Sequence, residues 1–564
     1  MAETQQGATN GAGTNQHDEQ HFDALVIGAG FAGLYMLHRL RGLGLSVRVL
    51  DAASGVGGTW YWNRYPGARC DVESVQYSYQ FDADLEQEWE WTEHYATQPE
   101  ILRYANHVAD RFDLRRDIDF ETRVTAARFD ETRGCWLLET NTGRRYAAPI
   151  CVMATGCLSA PNTPAFEGID SYRGAIYHTG TWPHELVDFT GQRVGIIGTG
   201  SSAIQAIPLI AAQAEHLTVF QRTPHYSVPA RNRPLKHAPY DATTNGAVPE
   251  GYDPEVTVEE IKAHYAEFRA RAKRISSGLN YAFNTGSALE ASAEERRREY
   301  EARWQRGGVP FLGAYGDLLF DQQANDTAAD FVRDKIRQIV DDPAIAETLC
   351  PTGIIGCKRL VVDTDYFATY NRDNVTLVDI SDAPIERLTP EGVRTGGEDH
   401  AFDAIVFATG FDAMTGALKR IDIRGPDGVA LKDRWAEGPK SYLGMMIAGF
   451  PNLFTITGPG SPSVLTNMIP SIEQHVDWIT DCISHMRAQG LGRIEPTVEA
   501  QEAWVAHVGD VADMNLRSQC SSWYVGANVP DKPRIFMPYI GGFPAYVEKC
   551  DAIAAGGYRG FVLT

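Results

Sequence analysis

Cysteines spaced as CxxC or CxxxxC occur nowhere in this 564-residue chain, so neither dithiol redox pattern is present. The nine cysteines are scattered, and the nearest two, Cys151 and Cys157, have five residues between them. An odd count without a recognisable leader sets the expectation of free thiols in a reducing, cytoplasmic compartment. Positive charge is also scarce: 51 Lys and Arg face 73 Asp and Glu, a formal net charge of −22. Phosphate backbones and anionic lipid need clustered cations, so nucleic acid and membrane are excluded as main partners. Long apolar runs are missing too. The nearest approach, Val194–Ala214, is free of charge but holds three glycines, two serines, Gln205, Gln213 and Pro208, which predicts a buried strand, a turn and a helix rather than a span. HExxH, GxSxG and P-loop motifs are absent, and no metal site is expected.

Glycine is abundant instead, with 53 residues, and part of it clusters. An apolar run Ala24–Ile27 is followed by Gly28-Ala29-Gly30-Phe31-Ala32-Gly33, a helical stretch to about Leu43, and a second run Ser46–Leu50 ending in Asp51. The glycines allow a tight turn and close approach to a pyrophosphate, the helix start favours its charge, and Asp51 suits a ribose diol. The pattern recurs. Arg193–Ile197 precedes Gly198-Thr199-Gly200-Ser201-Ser202-Ala203, a helix, and the run Leu217–Phe220. There the acid is replaced by Gln221-Arg222-Thr223. An arginine pairs with a 2′-phosphate that a carboxylate would repel, so the first site suits FAD and the second NADP. Two further strands, Ile150–Gly156 and Ala404–Gly410, end in Ala-Thr-Gly and fit domain junctions.

The fold class expected is α/β, with two dinucleotide-binding Rossmann-like domains and a helical insertion in the second. Length alone calls for about three or four domains. Residues 1–21, poor in apolar side chains, are expected to be a disordered tail. Residues 22–156 with 405–564 make the FAD domain, 157–228 with 347–404 the NADP domain, and 229–346 the insertion. Candidate capping boxes stand at Thr257…Glu260 and Ser292…Glu295, and the run Glu294–Glu299 is a solvated helix face.

Two stretches combine aromatic, turn and charged residues. Gly57–Asp71 reads GGTWYWNRYPGARCD, in which Tyr65-Pro66-Gly67 is expected to aim Arg69 and Asp71 at one spot. Tyr172–Pro183 reads YRGAIYHTGTWP. These resemble the fingerprints of the single-chain Baeyer–Villiger monooxygenases that use FAD and NADPH, [AG]GxWxxxx[FY]P[GM]xxxD and FxGxxxHxxxW[PD]. The second matches at Gly174, His178, Trp182 and Pro183, with Tyr172 where phenylalanine is usual. Segments Gly458–Met468 and Trp523–Pro530 are similar to the phenylacetone and steroid monooxygenase branch.

The resemblance implies roles. Gly356-Cys357-Lys358-Arg359 looks like the segment of the catalytic arginine, Arg359, with Asp71 as its partner. Lys358 joins Arg222 and Thr223 around the 2′-phosphate, and Trp523 contacts NADP. Ala32, Asp51, Thr59, Trp60, Tyr61, Trp62, Asp71, Tyr77, Val124 and Met468 resemble FAD-contacting positions, and Arg69 belongs to the cofactor set. His178 is implied to link domains. The implied reaction starts with NADPH reducing FAD, after which O2 forms a flavin C4a-peroxide that attacks a ketone to give an ester or lactone. The partners are thus the ketone and O2, with a monomer or weak homo-oligomer expected. A flavin monooxygenase of amines or sulfides, and a non-catalytic nucleotide-binding redox sensor, are the alternatives.

Overall fold

The structure is a computed structural model and describes residues 19–235 and 258–564. Two five-stranded parallel sheets organise it. In the first, strand Ala24–Ile27 lies between Ile150–Met153 and Val47–Leu50, with Leu453–Thr455 and Ile118–Asp119 at the edges. Apolar residues fill Ala24–Ile27 because helices and loops cover both faces. In the second, Arg193–Ile197 lies between His216–Gln221 and Ala404–Phe407, with Val375–Asp379 and Ala175–His178 outside. A helix follows each glycine turn, Phe31–Gly42 in the first unit and Ser201–Gln213 in the second. The uncharged stretch from Val194 is therefore strand, turn and helix, as its glycines require. No helix among the described residues is long and apolar enough to cross a membrane.

Two boundaries and the packing of the insertion differ from expectation. Gln20–His21 pairs in parallel with Tyr146–Ala147 rather than belonging to a tail, because the open edge of a third, mixed sheet accepts it. The rest of that tail, residues 1–18, lies outside the described residues. Strand Ala404–Phe407 belongs wholly to the second sheet, so the chain leaves that unit after the strand and not at 404. The insertion is helical but divided. Ile261, Tyr265, Phe268 and Leu279 pack into the first unit's core, whereas Tyr300, Trp304, Phe311 and Val332 pack into the second's. The apolar faces of its helices thus bridge both units.

The box at Ser292 forms as read: its hydroxyl accepts from the Glu295 N–H while the Glu295 carboxylate accepts from Ser292. Thr257 lies outside the described residues.

Candidate active site

The two glycine turns have the same construction. The Gly28 N–H donates to Leu50 O at 2.9 Å and the Gly198 N–H to Phe220 O at 3.1 Å. Both glycines have positive φ, +109° and +115°, where L side chains are strained. A Cβ on Gly28 would lie 2.5 Å from Ala154 O, and one on Gly198 2.6 Å from Ala408 O. Those carbonyls belong to the two Ala-Thr-Gly strand ends, which explains the motif: a small residue there lets turn and strand touch. Gly33 is equally constrained, since its Cβ would meet Gly28 O at 1.8 Å. First-turn N–H groups of each helix have no partner within the helix and face the turn, a site built for a diphosphate.

The turns differ in what lies over them. Gly58, from the first fingerprint, is packed so closely on Gly30 that a Cβ on it would come within 2.9 Å of the Gly30 Cα. The fingerprint helix Thr59–Trp62 is thereby set beside the turn, with Trp60 Nε1 donating to Tyr77 Oη at 3.1 Å. Gly200 has nothing within 4 Å of its would-be Cβ. The next residues repeat the contrast: Phe31 and Ala32 are buried, Ser201 exposed and Ser202 half-buried.

At the strand ends the chemistry diverges. Asp51 is buried, its carboxylate accepting from the N–H of Ala29 and, at 2.7 Å, from that of Ala53. Burial raises its pKa, against which these two donors act. In the second unit Thr199 Oγ1 donates to Thr223 O at 2.9 Å, which fixes the chain beside exposed Arg222. Lys358 sits near enough for Arg222 to add to the burial that lowers its pKa, and among the described residues neither side chain has a hydrogen bond or ion pair. Two cations without a carboxylate between them are arranged for an anion. These cradles fit two dinucleotides.

Arg359 and Asp71, 288 residues apart in sequence, form a bidentate pair. Nη2 donates to Asp71 Oδ1 at 3.0 Å, Nε donates to Oδ2, and Nη1 donates to Val464 O at 2.8 Å. Burial opposes the charge on Arg359, yet the Asp71 carboxylate outweighs it and keeps the guanidinium protonated. The pair is about a quarter exposed, 25% and 28% for the two side chains, so a small molecule can reach it. Beside it an apolar cluster gathers Cys157, Leu158, Val464, Met468, Trp523 and Tyr524. Met468 and Trp523 thus share a wall, and Trp523 packs on Tyr524 with ring centroids 4.2 Å apart.

Arg69 does not join Asp71. Its guanidinium pairs with Glu93 at 3.4 Å, and its backbone bridges Thr97. The Tyr65-Pro66-Gly67 turn instead docks on the second unit: Tyr65 Oη donates to Gln205 Oε1 at 2.8 Å, and a Cβ on Gly67 would meet Gln205 O at 2.3 Å. Val124 is buried with Ile27 and Leu50 beneath the first turn. The aromatic substitution at Tyr172 is accommodated, its hydroxyl donating to Phe402 O at 3.0 Å. His178 accepts from the Gly180 N–H at 2.9 Å and lies 3.3 Å from Thr409 Oγ1 and 3.4 Å from Asn162 O, at both crossings between the units. Sequence reasoning missed Gln205, and also Gln98, whose amide donates to Trp60 O and holds the fingerprint helix. Nothing in their spacing marks either one. Among the described residues no group of three or more His, Cys, Asp or Glu could hold a metal ion.

A chain that is 46% identical over 545 residues, 96% of each protein, is a Baeyer–Villiger monooxygenase of Pseudooceanicola batsensis. This chain belongs to the Baeyer–Villiger monooxygenase family. A solved structure described as oxidised steroid monooxygenase bound to NADP superposes with a TM-score of 0.89 at 52% identity, covering 96% of this chain and 99% of that one. A phenazine N-monooxygenase of Lysobacter antibioticus is 43% identical over 97% of this chain and 98% of its own. Residues 25–280 also match a family model described as pyridine nucleotide-disulphide oxidoreductase. That match spans the first glycine turn and the second, and the chain has no CxxxxC to go with it. The α/β architecture with two nucleotide-binding units is that of the family.

Proposed function

We propose that this protein is an FAD-containing monooxygenase that uses NADPH and O2 to insert one oxygen beside a ketone carbonyl, giving an ester or lactone. The observation that carries the reading is the Arg359–Asp71 pair, set against an apolar wall and tied to the Val464 carbonyl. An FAD held there would supply acceptance of hydride from the nicotinamide and activation of oxygen. Gly28, Gly30 and Gly33 admit the FAD diphosphate, and Asp51 takes its ribose. Gly198, Thr199, Gly200, Ser201, Ser202 and Ala203 receive the NADP diphosphate, and Arg222, Thr223 and Lys358 its 2′-phosphate.

Arg359 presents a fixed positive charge to the oxyanion that develops on the ketone oxygen. One preorganised donor of this kind is worth about 3–4 kcal/mol, roughly 10²–10³ in rate. Asp71 aims the guanidinium by a charge-assisted pair, so no reorganisation is needed as charge develops. Leu158, Met468 and Trp523 exclude water and select the ketone by shape. The protein acts without nucleic acid or membrane, in the cytoplasm, as a monomer or weak homo-oligomer.

The phenazine N-monooxygenase relative favours a second reading, oxygen transfer to an aromatic nitrogen. A panel of aryl, cyclic and steroidal ketones with one phenazine, incubated with NADPH and read by product structure, separates the two. Ester or lactone supports the proposal; N-oxide alone overturns it.

A further inference from the structure

The segment that carries Lys358 and Arg359 also carries a thiol that the proposed reaction does not use. All nine cysteines are free and eight are buried; Cys357 is the exception. Its thiol lies beside that of Cys520, which is 163 positions later in the chain. The two segments are tied together by Arg517, whose Nε donates to Gly356 O at 2.8 Å. Cys520 closes the short 3-10 turn Leu516–Gln519, and its thiol is 3.4 Å from Leu516 O. Lys358 and Arg517 place two positive charges near Cys357.

We propose that Cys357 and Cys520 form a peroxide-sensitive dithiol that closes into an intramolecular disulfide next to Arg359. The polarity of the pair sets which sulfur reacts. The neighbouring Cys520 thiol, with the charges of Lys358 and Arg517, lowers the pKa of Cys357 against the effect of burial. Burial instead pushes Cys482 and Cys550 up to about 12 and raises Cys70 and Cys151 further. Cys357, the more accessible member of the pair and the neighbour of Lys358, is thus the nucleophile, and buried Cys520 is the resolving thiol.

Hydrogen peroxide is the oxidant. The Cys357 thiolate attacks one peroxide oxygen; the O–O bond breaks, hydroxide leaves, and a sulfenic acid forms. The hydroxide takes the Cys520 proton, and the Cys520 sulfur attacks the Cys357 sulfur. The S–S bond forms as the S–O bond breaks, and the departing hydroxide is protonated to water. Overall two thiols lose two electrons and two protons, and one peroxide becomes two waters. The bond would fasten the Gly356–Arg359 turn to the turn before Trp523.

The test treats the full-length, FAD-loaded protein with hydrogen peroxide, blocks remaining thiols, and maps peptides by mass spectrometry. One cross-linked pair containing Cys357 and Cys520, having lost two hydrogens and reopened by dithiothreitol, should exceed oxidation at every other cysteine at least about tenfold. In Cys520→Ser the cross-link should vanish and dimedone should label Cys357. Oxidation spread evenly over the cysteines would overturn the proposal, as would Cys357 joined elsewhere or Cys357 left reduced in both proteins. The wild-type map decides even if the variant fails to fold.

Discussion

In the first nucleotide unit the glycine turn lies under another part of the chain, with Gly58 packed on Gly30 and Phe31 buried; in the second the corresponding Gly200 and Ser201 face open space. The backbone beneath is the same, down to strand-end carbonyls 2.5 Å and 2.6 Å from a would-be Cβ. A covered turn favours keeping its ligand and an open one exchanging it. This suits a resident flavin and a nicotinamide nucleotide that enters and leaves. The chemistry at the strand ends follows the same division, a buried carboxylate at Asp51 and exposed Arg222 with Lys358.

The sharpest way to break the comparison is to fill each turn in turn. Gly28→Ala should lose FAD and Gly198→Ala should keep it while weakening NADPH. Strain and clash of about 2–3 kcal/mol correspond to some 100-fold in affinity. Flavin absorbance after gel filtration and NADPH titration read the two effects. If either variant loses both cofactors, the units are not separable as described.

Arg222→Ala should raise the KM for NADPH about tenfold or more and leave NADH almost unchanged, because one charge-assisted contact to phosphate is worth roughly 1.5–3 kcal/mol. Equal losses for both nucleotides would make Arg222 a structural residue.

A smaller effect tests the closed packing of the first unit. Glu473 lies on the long helix Met468–Gln489 that packs against Phe31–Gly42, and burial pushes its pKa up to about 7. An unfolded glutamate titrates near 4.3. Between those values the folded protein holds a proton that the unfolded chain has released, so this group's contribution to stability falls as pH rises through the window. Glu473→Gln should therefore gain about 1–3 kcal/mol at pH 8 and almost nothing at pH 4.5. Thermal unfolding of the FAD-loaded protein at the two pH values checks it.

Much of this was legible in the sequence, because strand, turn and helix are local. The glycine turns, their strands and the Ser292 cap required only short-range rules. The Arg359–Asp71 pair was legible only through family resemblance, since no spacing rule links residues 288 apart. What escaped was decided by packing. Arg69 and Asp71 are two residues apart, yet one turns to Glu93 and the other to Arg359, according to which partners the fold supplies. The insertion was legible as helical from its caps and charge pattern, but its division between two cores depends on which apolar faces meet. Cys357 and Cys520 gave no signal at all, because their proximity comes from the tertiary fold.

The central claim is that Arg359 serves oxygen transfer and not hydride transfer. Arg359→Ala, studied by stopped-flow with FAD bound, separates the two half-reactions. NADPH should still bleach the flavin under anaerobic conditions, and oxygen should then yield hydrogen peroxide with ester formation down by about 10²–10³. Asp71→Ala should lose less, since the cation remains and only its aim is lost. Ester formation near the unaltered rate in Arg359→Ala would contradict the account and require another cation to carry the charge.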